Sequence, residues 1–235
     1  MTVDTTYRSK DIEIMDDLNM SGQLLINSLD HLARINRWLG GNKITIDGIK
    51  TILENQPKDK IISLVDLGCG NGDMLRKVAA FGRKNGYKFR LLGIDANQAT
   101  IDYAVQLSAT FPEINYRKED VLSKEFEIHT YDIALCTLFL HHFEDAVALG
   151  FIQTLLKNAK IGVVINDLHR CRMAYYLFKI LTSGIKNKMT RRDGLTSILK
   201  AFKRIDLERF SEQINYKGTI NWRWAFRYQW IIKKS

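Results

Sequence analysis

Val65-Asp66-Leu67-Gly68-Cys69-Gly70-Asn71-Gly72 is the stretch that decides the fold. The apolar run Ile61–Leu67 leads into it as a buried strand, and the 3.6-residue periodicity of 74–84 leads away from it as a helix. Glycines at such a strand-to-helix turn let the backbone approach a ligand, and the helix start presents free N–H groups. Outward from the turn the pattern repeats, with apolar runs at 89–94, 131–135 and 161–165 and helical stretches at 98–110 and 146–158. Strands alternating with helices long enough for a right-handed crossover define a doubly wound α/β sheet. The aromatic-rich segment 216–233 reads instead as two strands forming a hairpin around residues 224–226. Within it Trp222, Trp224, Phe226, Tyr228 and Trp230 alternate, as core-packed strand residues do.

Before residue 60 the pattern changes. Leu24, Leu25, Leu29, Leu32, Ile35 and Leu39 recur at three- and four-residue steps, an amphipathic helix that Gly40 and Gly41 end. Residues 1–58 are therefore expected to form a helical cap, with 36–41 part of a hinged lid, and 59–235 to form the α/β domain. Hydrophobic residues at 46% and only two prolines predict a chain that folds throughout. No apolar run is long enough for a membrane span and the first residues are too polar for a signal peptide, so a cytoplasmic address is expected. Cys69, Cys136 and Cys171 are too widely spaced for a disulfide framework or a zinc site; reduced thiols and no metal are expected.

The net charge of +9 is segregated. From His169 onward there are 16 Lys and Arg against 4 Asp and Glu, while the rest holds 19 against 22. Such an end suits either solvated helix faces or weak contact with an anionic surface.

Asp95 closes the strand after the glycine turn, where a carboxylate can accept both hydroxyl hydrogens of a ribose. Turn and acid together predict a nucleoside cofactor. The dinucleotide fingerprint is G-x-G-x-x-G, whereas this chain has G-x-G-x-G with Asp66 two positions ahead. In this the chain resembles the class I S-adenosylmethionine-dependent methyltransferases. The resemblance implies a mostly parallel sheet of about seven strands with a reversed C-terminal hairpin. It also implies a cofactor site of Asp66, Gly68, Cys69, Gly70, Asp95, Ala96, Asp120, Val121 and Cys136, with Asn97 near the adenine and Asp120 facing its amino group. Tyr131-Asp132-Ile133-Ala134-Leu135-Cys136-Thr137 resembles the fourth strand, which ends beside the methyl donor; Asp132, at its far end, is expected to be structural.

The following Leu138-Phe139-Leu140-His141-His142-Phe143 is similar to small-molecule enzymes of the quinone-biosynthesis type. The Asn/Asp-Pro-Pro-aromatic motif of adenine or glutamine N-methylation and the Pro-Cys or Thr-Cys pairs of cytosine methylation are absent. The resemblance thus implies S-adenosyl-L-methionine as cofactor and a small organic acceptor rather than nucleic acid. O-methylation of a phenol, enol, quinol or carboxylate leads, with C-methylation of a quinone-like ring close behind. Methylation of RNA and noncatalytic cofactor binding are the rival readings. A base is needed if the acceptor must lose a proton. His142 is the first choice, ahead of His141, Asp167 and His169, all near the carboxyl ends of strands four and five. Arg170, Arg172, Arg191 and Arg192 are candidates to orient a carboxylate or phosphate on the acceptor.

Overall fold

The computed structural model describes residues 2–234. Seven strands form one sheet: β1 (Ile61–Leu67), β2 (Lys88–Asp95), β3 (Ile114–Lys118), β4 (Tyr131–Thr137), β5 (Ala159–Leu168), β6 (Gly218–Arg223) and β7 (Arg227–Lys233). Their order is β3-β2-β1-β4-β5-β7-β6. The first five run parallel, whereas β7 is antiparallel to β5 and β6 to β7. The expected doubly wound sheet with a C-terminal hairpin is thus present, and the order reverses between β1 and β4. A crevice opens at such a reversal, outside the carboxyl ends of the strands.

Eight helices accompany the sheet: α1 (Gln23–Trp38), α2 (Gly41–Leu53), α3 (Asp73–Asn85), α4 (Gln98–Leu107), α5 (Asp145–Asn158), α6 (Arg172–Leu181), α7 (Lys188–Lys200) and α8 (Arg204–Gln213). Side-chain alternation along the strands feeds two cores, one on each face. On one face Val65, Cys136, Val163 and Trp230 pack with Phe151 and Leu155 of α5. On the other, Leu64, Ile133, Leu135 and Val164 pack with Leu75 and Val78 of α3 and with Ile49, Ile52 and Leu53 of α2. A Cβ on Gly48 would stand 2.6 Å from Val164 Cγ1, so α2 lies on β5 at backbone contact distance.

The segment 1–58 divides differently from the sequence reading. Gly40, at φ +74°, ends α1, but Gly41 already begins α2, whose apolar face belongs to the sheet's core. From this segment the crevice is lined by α1, by part of residues 13–18 of the strap 2–22, and by Leu39 and Asn42. The strap is hung largely from main-chain groups. Asn97 Nδ2 donates to the carbonyls of Leu18 and Met20, Arg170 to those of Thr5 and Thr6, and Arg172 to that of Val3. Asp193 accepts from the Ile14 and Met15 amides.

The aromatic alternation is only half a core pattern: Tyr228 and Trp230 are buried, whereas Trp222 on the edge strand and Trp224 in the turn are exposed. An edge strand has no covering partner on its outer side, so period alone does not bury its residues. Residues 172–213, where the sequence showed only positive charge, form the helices α6 to α8. Asp132 Oδ2 accepts from both the amide and the hydroxyl of Ser63 at 2.7 Å, which is the structural role expected of it. All three cysteines are free.

Candidate active site

One cavity of about 840 Å³ occupies the crevice. Its first half is built locally. β1 delivers Asp66, the turn delivers Gly68, Cys69 and Gly70, and β2 delivers Asp95 and Ala96; Asp120 and Val121 follow β3. Gly68 and Gly70 stand at φ +64° and +52°, a region that glycine adopts without steric cost. A Cβ on Gly70 would meet nothing nearer than Leu29 Cδ2 at 3.7 Å, so that glycine faces open cavity.

Asp95 Oδ2 accepts from the Gly70 amide at 3.1 Å and Oδ1 from the Asn97 amide at 3.0 Å, which fixes the carboxylate toward the turn. Burial, joined by the Asp95 charge, pushes Asp66 up to about 8. Burial likewise raises Asp95, against the hydrogen bonds from Asn97 and Gly70. Two buried carboxyl groups beside open space and a turn without side chains suit a ligand carrying several hydroxyl and amine donors.

Cys136 is placed elsewhere. Successive strand residues point to opposite faces, and Cys136 sits fully buried in the α5-side core while Thr137, Leu138 and Phe139 line the cavity.

The second half gathers distant segments. His141 and His142 share a single 3-10 turn, Leu140–His142, with ring centroids 4.4 Å apart. They point to different surroundings. His142 Nδ1 lies 2.7 Å from Asp16 Oδ1, and its ring lines the cavity with the side chain 23% exposed. Burial opposes it, but the His142 hydrogen bond and the His142 and Lys200 charges hold Asp16 well below the usual carboxylate range. His141 is buried, with Nδ1 2.7 Å from Asp167 Oδ1 and Nε2 3.7 Å from Glu13 Oε1. Burial alone would depress His141; the charges of Asp167 and Glu13 outweigh it and raise it above the ordinary imidazole value.

Asp167 does not line the cavity; it reaches the site only through His141. His169 does line it, accepts from Trp222 Nε1 at 3.2 Å, and is held below its ordinary value by burial and the Arg170 and Lys203 charges.

Glu13, Asp16 and Lys200 were not singled out in the sequence. Lys200 Nζ lies 3.5 Å from Glu13 Oε1 and 3.3 Å from Asp16 Oδ2. Glu13, His141 and His142 also bring three donor atoms within 4.8 Å of one another, a proximity of metal-ligand type that the sequence did not announce. Lys200 already supplies a cation to those carboxylates. Of the arginines proposed for an acceptor carboxylate, Arg170 is committed to main-chain carbonyls and Asp206, and Arg172, Arg191 and Arg192 do not line the cavity. Arg227 does.

Residues 64–162 match the family model of a methyltransferase domain. With the acid, glycine turn and second carboxylate in place, the chain carries a methyltransferase domain of the S-adenosylmethionine-dependent kind. Solved structures place it more narrowly by fold. The plantazolicin methyltransferase BpumL in complex with SAH is 17% identical, with a TM-score of 0.64 over 90% of this chain and 89% of that one. Magnesium protoporphyrin IX methyltransferase (ChlM) from Synechocystis PCC 6803, with bound SAM, is 12% identical, with a TM-score of 0.57 over 94% and 89%. The CurJ carbon methyltransferase is 15% identical, with a TM-score of 0.60 over 81% of this chain and 53% of that one. At these identities the likeness concerns the fold. No curated protein matches the chain. Among the described residues no helix is long and apolar enough to cross a membrane.

Proposed function

We propose that the chain methylates an oxygen of a small organic acceptor, a phenol, enol, quinol or carboxylate, with His142 as the base where that oxygen carries a proton. One observation carries this. His142 is oriented through Nδ1 by the Asp16 carboxylate while its ring lines the cavity, the arrangement of a base held by a third group.

The cofactor supplies an activated methyl group on a sulfonium. Asp66, Asp95, Asp120 and the turn from Gly68 to Gly70 would hold it, with Ala96 and Val121 against its base. The protein's own task is then to align acceptor and methyl in a dry site and to take one proton. With Asp16 bound at Nδ1, the lone pair of Nε2 receives the acceptor's hydroxyl proton as the oxygen attacks. His141, fixed by Asp167, positions Glu13 and through it the strap that carries Asp16. The strap and residues 36–39 of α1 serve as the lid; Asn36, Trp38 and Leu39 line the cavity.

The cavity's largely apolar walls favour a small acceptor over nucleic acid, and total RNA incubated with labelled cofactor should stay unlabelled. Exposed Met173, Ile180 and Leu177 on α6, with Lys179 beside them, support a weak contact with an anionic surface, which vesicle sedimentation tests. Mass spectrometry after incubation with S-adenosylmethionine and phenolic, quinol and carboxylate acceptors tests the reaction itself. Products methylated on carbon or nitrogen alone would sink the oxygen assignment.

A further inference from the structure

Arg227 opens β7 beside Leu168 of β5 and is almost wholly buried, 2% exposed. Neither Nε nor Nη1 has a hydrogen-bond partner, and among the described residues no carboxylate forms an ion pair with it. Asp167 is the acid whose charge it feels, but Oδ1 of Asp167 is taken by His141 Nδ1 and the Leu168 amide, and Oδ2 by the His141 amide. Burial pulls Arg227 down to about 10, with the Asp167 charge opposing; it remains a cation at any working pH.

The guanidinium also lies against the N-terminus of α2. A Cβ on Gly41, the first residue of that helix, would stand 2.9 Å from Arg227 Cζ. A helix start carries partial positive charge, so a cation there is unfavourable by itself and the two together form a pole for an anion. An unpaired buried charge is costly, and the part of the fold that keeps one beside a cavity is expected to recover that cost on binding. Asn36, whose unpartnered Oδ1 a Cβ on Gly41 would meet before the guanidinium, is the polar neighbour in the lining, while Leu168, Ala225, Phe226 and Leu39 are apolar, as is Phe178 farther along.

We infer that Arg227 and the start of α2 form the anion subsite for the acceptor, and that the acceptor is a lipophilic acid with its carboxylate on Arg227. This rests on the methyl-transfer reading above and names its substrate class. The start of α2 also reaches Asp73 at the head of α3 through Asn42, so cofactor affinity in an Arg227 variant is what separates this subsite from the cofactor's own carboxylate. Arg227 belongs to β7, two strands beyond β4 in the order β1-β4-β5-β7, whereas the glycine turn follows β1. The guanidinium's planar fork matches a carboxylate in two parallel N–H···O bonds.

The test compares the wild type with Arg227→Met, and uses dodecanoate and dodecanol as probes of equal chain length. Calorimetry should give the same S-adenosylhomocysteine affinity for both proteins; a loss of about tenfold or more would assign Arg227 to the cofactor and overturn the inference. With S-adenosylhomocysteine bound, dodecanoate should raise the melting temperature of the wild type and leave Arg227→Met unmoved, while dodecanol acts alike on both. Absence of a dodecanoate effect on the wild type refutes the subsite. Without any ligand, Arg227→Met should melt no lower than the wild type, since it removes a cation lacking a partner; a clear drop would mean the guanidinium is structural. His142→Ala should keep the dodecanoate shift, so a failed base assignment leaves this result readable.

Discussion

Asp66, Gly68, Gly70 and Asp95 come from a single strand, turn, helix and strand, whereas Asp16, His142, Lys200 and Arg227 come from segments scattered along the chain. The first group is positioned by β1–β2 pairing and by the start of α3, so its geometry is inherited from the sheet. The second group depends on a strap that crosses the crevice and meets α7 at Asp193 and Lys200. Local construction makes the cofactor half rigid and recognisable; long-range construction leaves the acceptor half free to differ between proteins with the same sheet.

The largest effect expected from this contrast is on truncation. Deleting residues 1–56 removes α2 and with it Ile49, Ile52 and Leu53, each worth about 2–5 kcal/mol of core packing. That approaches the whole stability of a domain, roughly 5–15 kcal/mol, and no cooperative melting should remain. Deleting only 1–22 should keep the fold and S-adenosylhomocysteine binding but abolish turnover. Circular dichroism melting and calorimetry separate the two, and a short truncation that turns over normally would break the comparison.

Next in size is His142→Ala, for which kcat should drop by about a hundredfold to ten-thousandfold with cofactor affinity nearly unchanged. Asp16→Asn should follow it in direction, because the carboxylate that orients the His142 ring is lost. Equal damage to cofactor binding would show that the halves are not separable.

Asp95→Ala should do the opposite, weakening cofactor affinity by about 1.5–3 kcal/mol through loss of a charged acceptor, with kcat at saturation largely kept. Calorimetry and saturation kinetics on one preparation decide this.

The smallest effect concerns pH. His141 is raised above its ordinary value, so protonation stabilises the folded state; its contribution is full below the unfolded imidazole value and fades as pH rises through the raised one. Amide exchange at residues 13–16 should therefore quicken, beyond its intrinsic rate, on the alkaline side. His141→Gln should remove that dependence, and an unchanged profile in the variant would discard the anchoring role.

Most of the cofactor half was legible because each of its signals is short in sequence: an acid, a turn that needs positive φ, and an acid closing the next strand. Cys136 shows where such reading stops. The motif placed the residue at the right depth, but strand alternation sends its side chain to the α5 face. The histidine pair was legible as chemistry, yet both line the cavity, and what tells them apart is the carboxylate each meets, Asp16 for His142 and Asp167 for the buried His141, 126 and 26 residues away. Arg227 was hidden among many arginines of a basic segment, and only burial without a partner distinguishes it. The helices α6 to α8 were missed because their apolar positions are interleaved with charge, and α6 keeps several of them exposed.

The way the strap is hung has a consequence for descent. Asn97, Arg170, Arg172 and Asp193 grip its carbonyls and amides rather than its side chains. A peptide group is the same whatever residue carries it, so substitutions along residues 2–22 other than Arg8, Glu13 and Asp16, whose side chains also hold the strap, alter what the wall shows to an acceptor while its course is preserved. Lineages can exchange one acceptor for another there by single replacements, with no intermediate that has lost the wall.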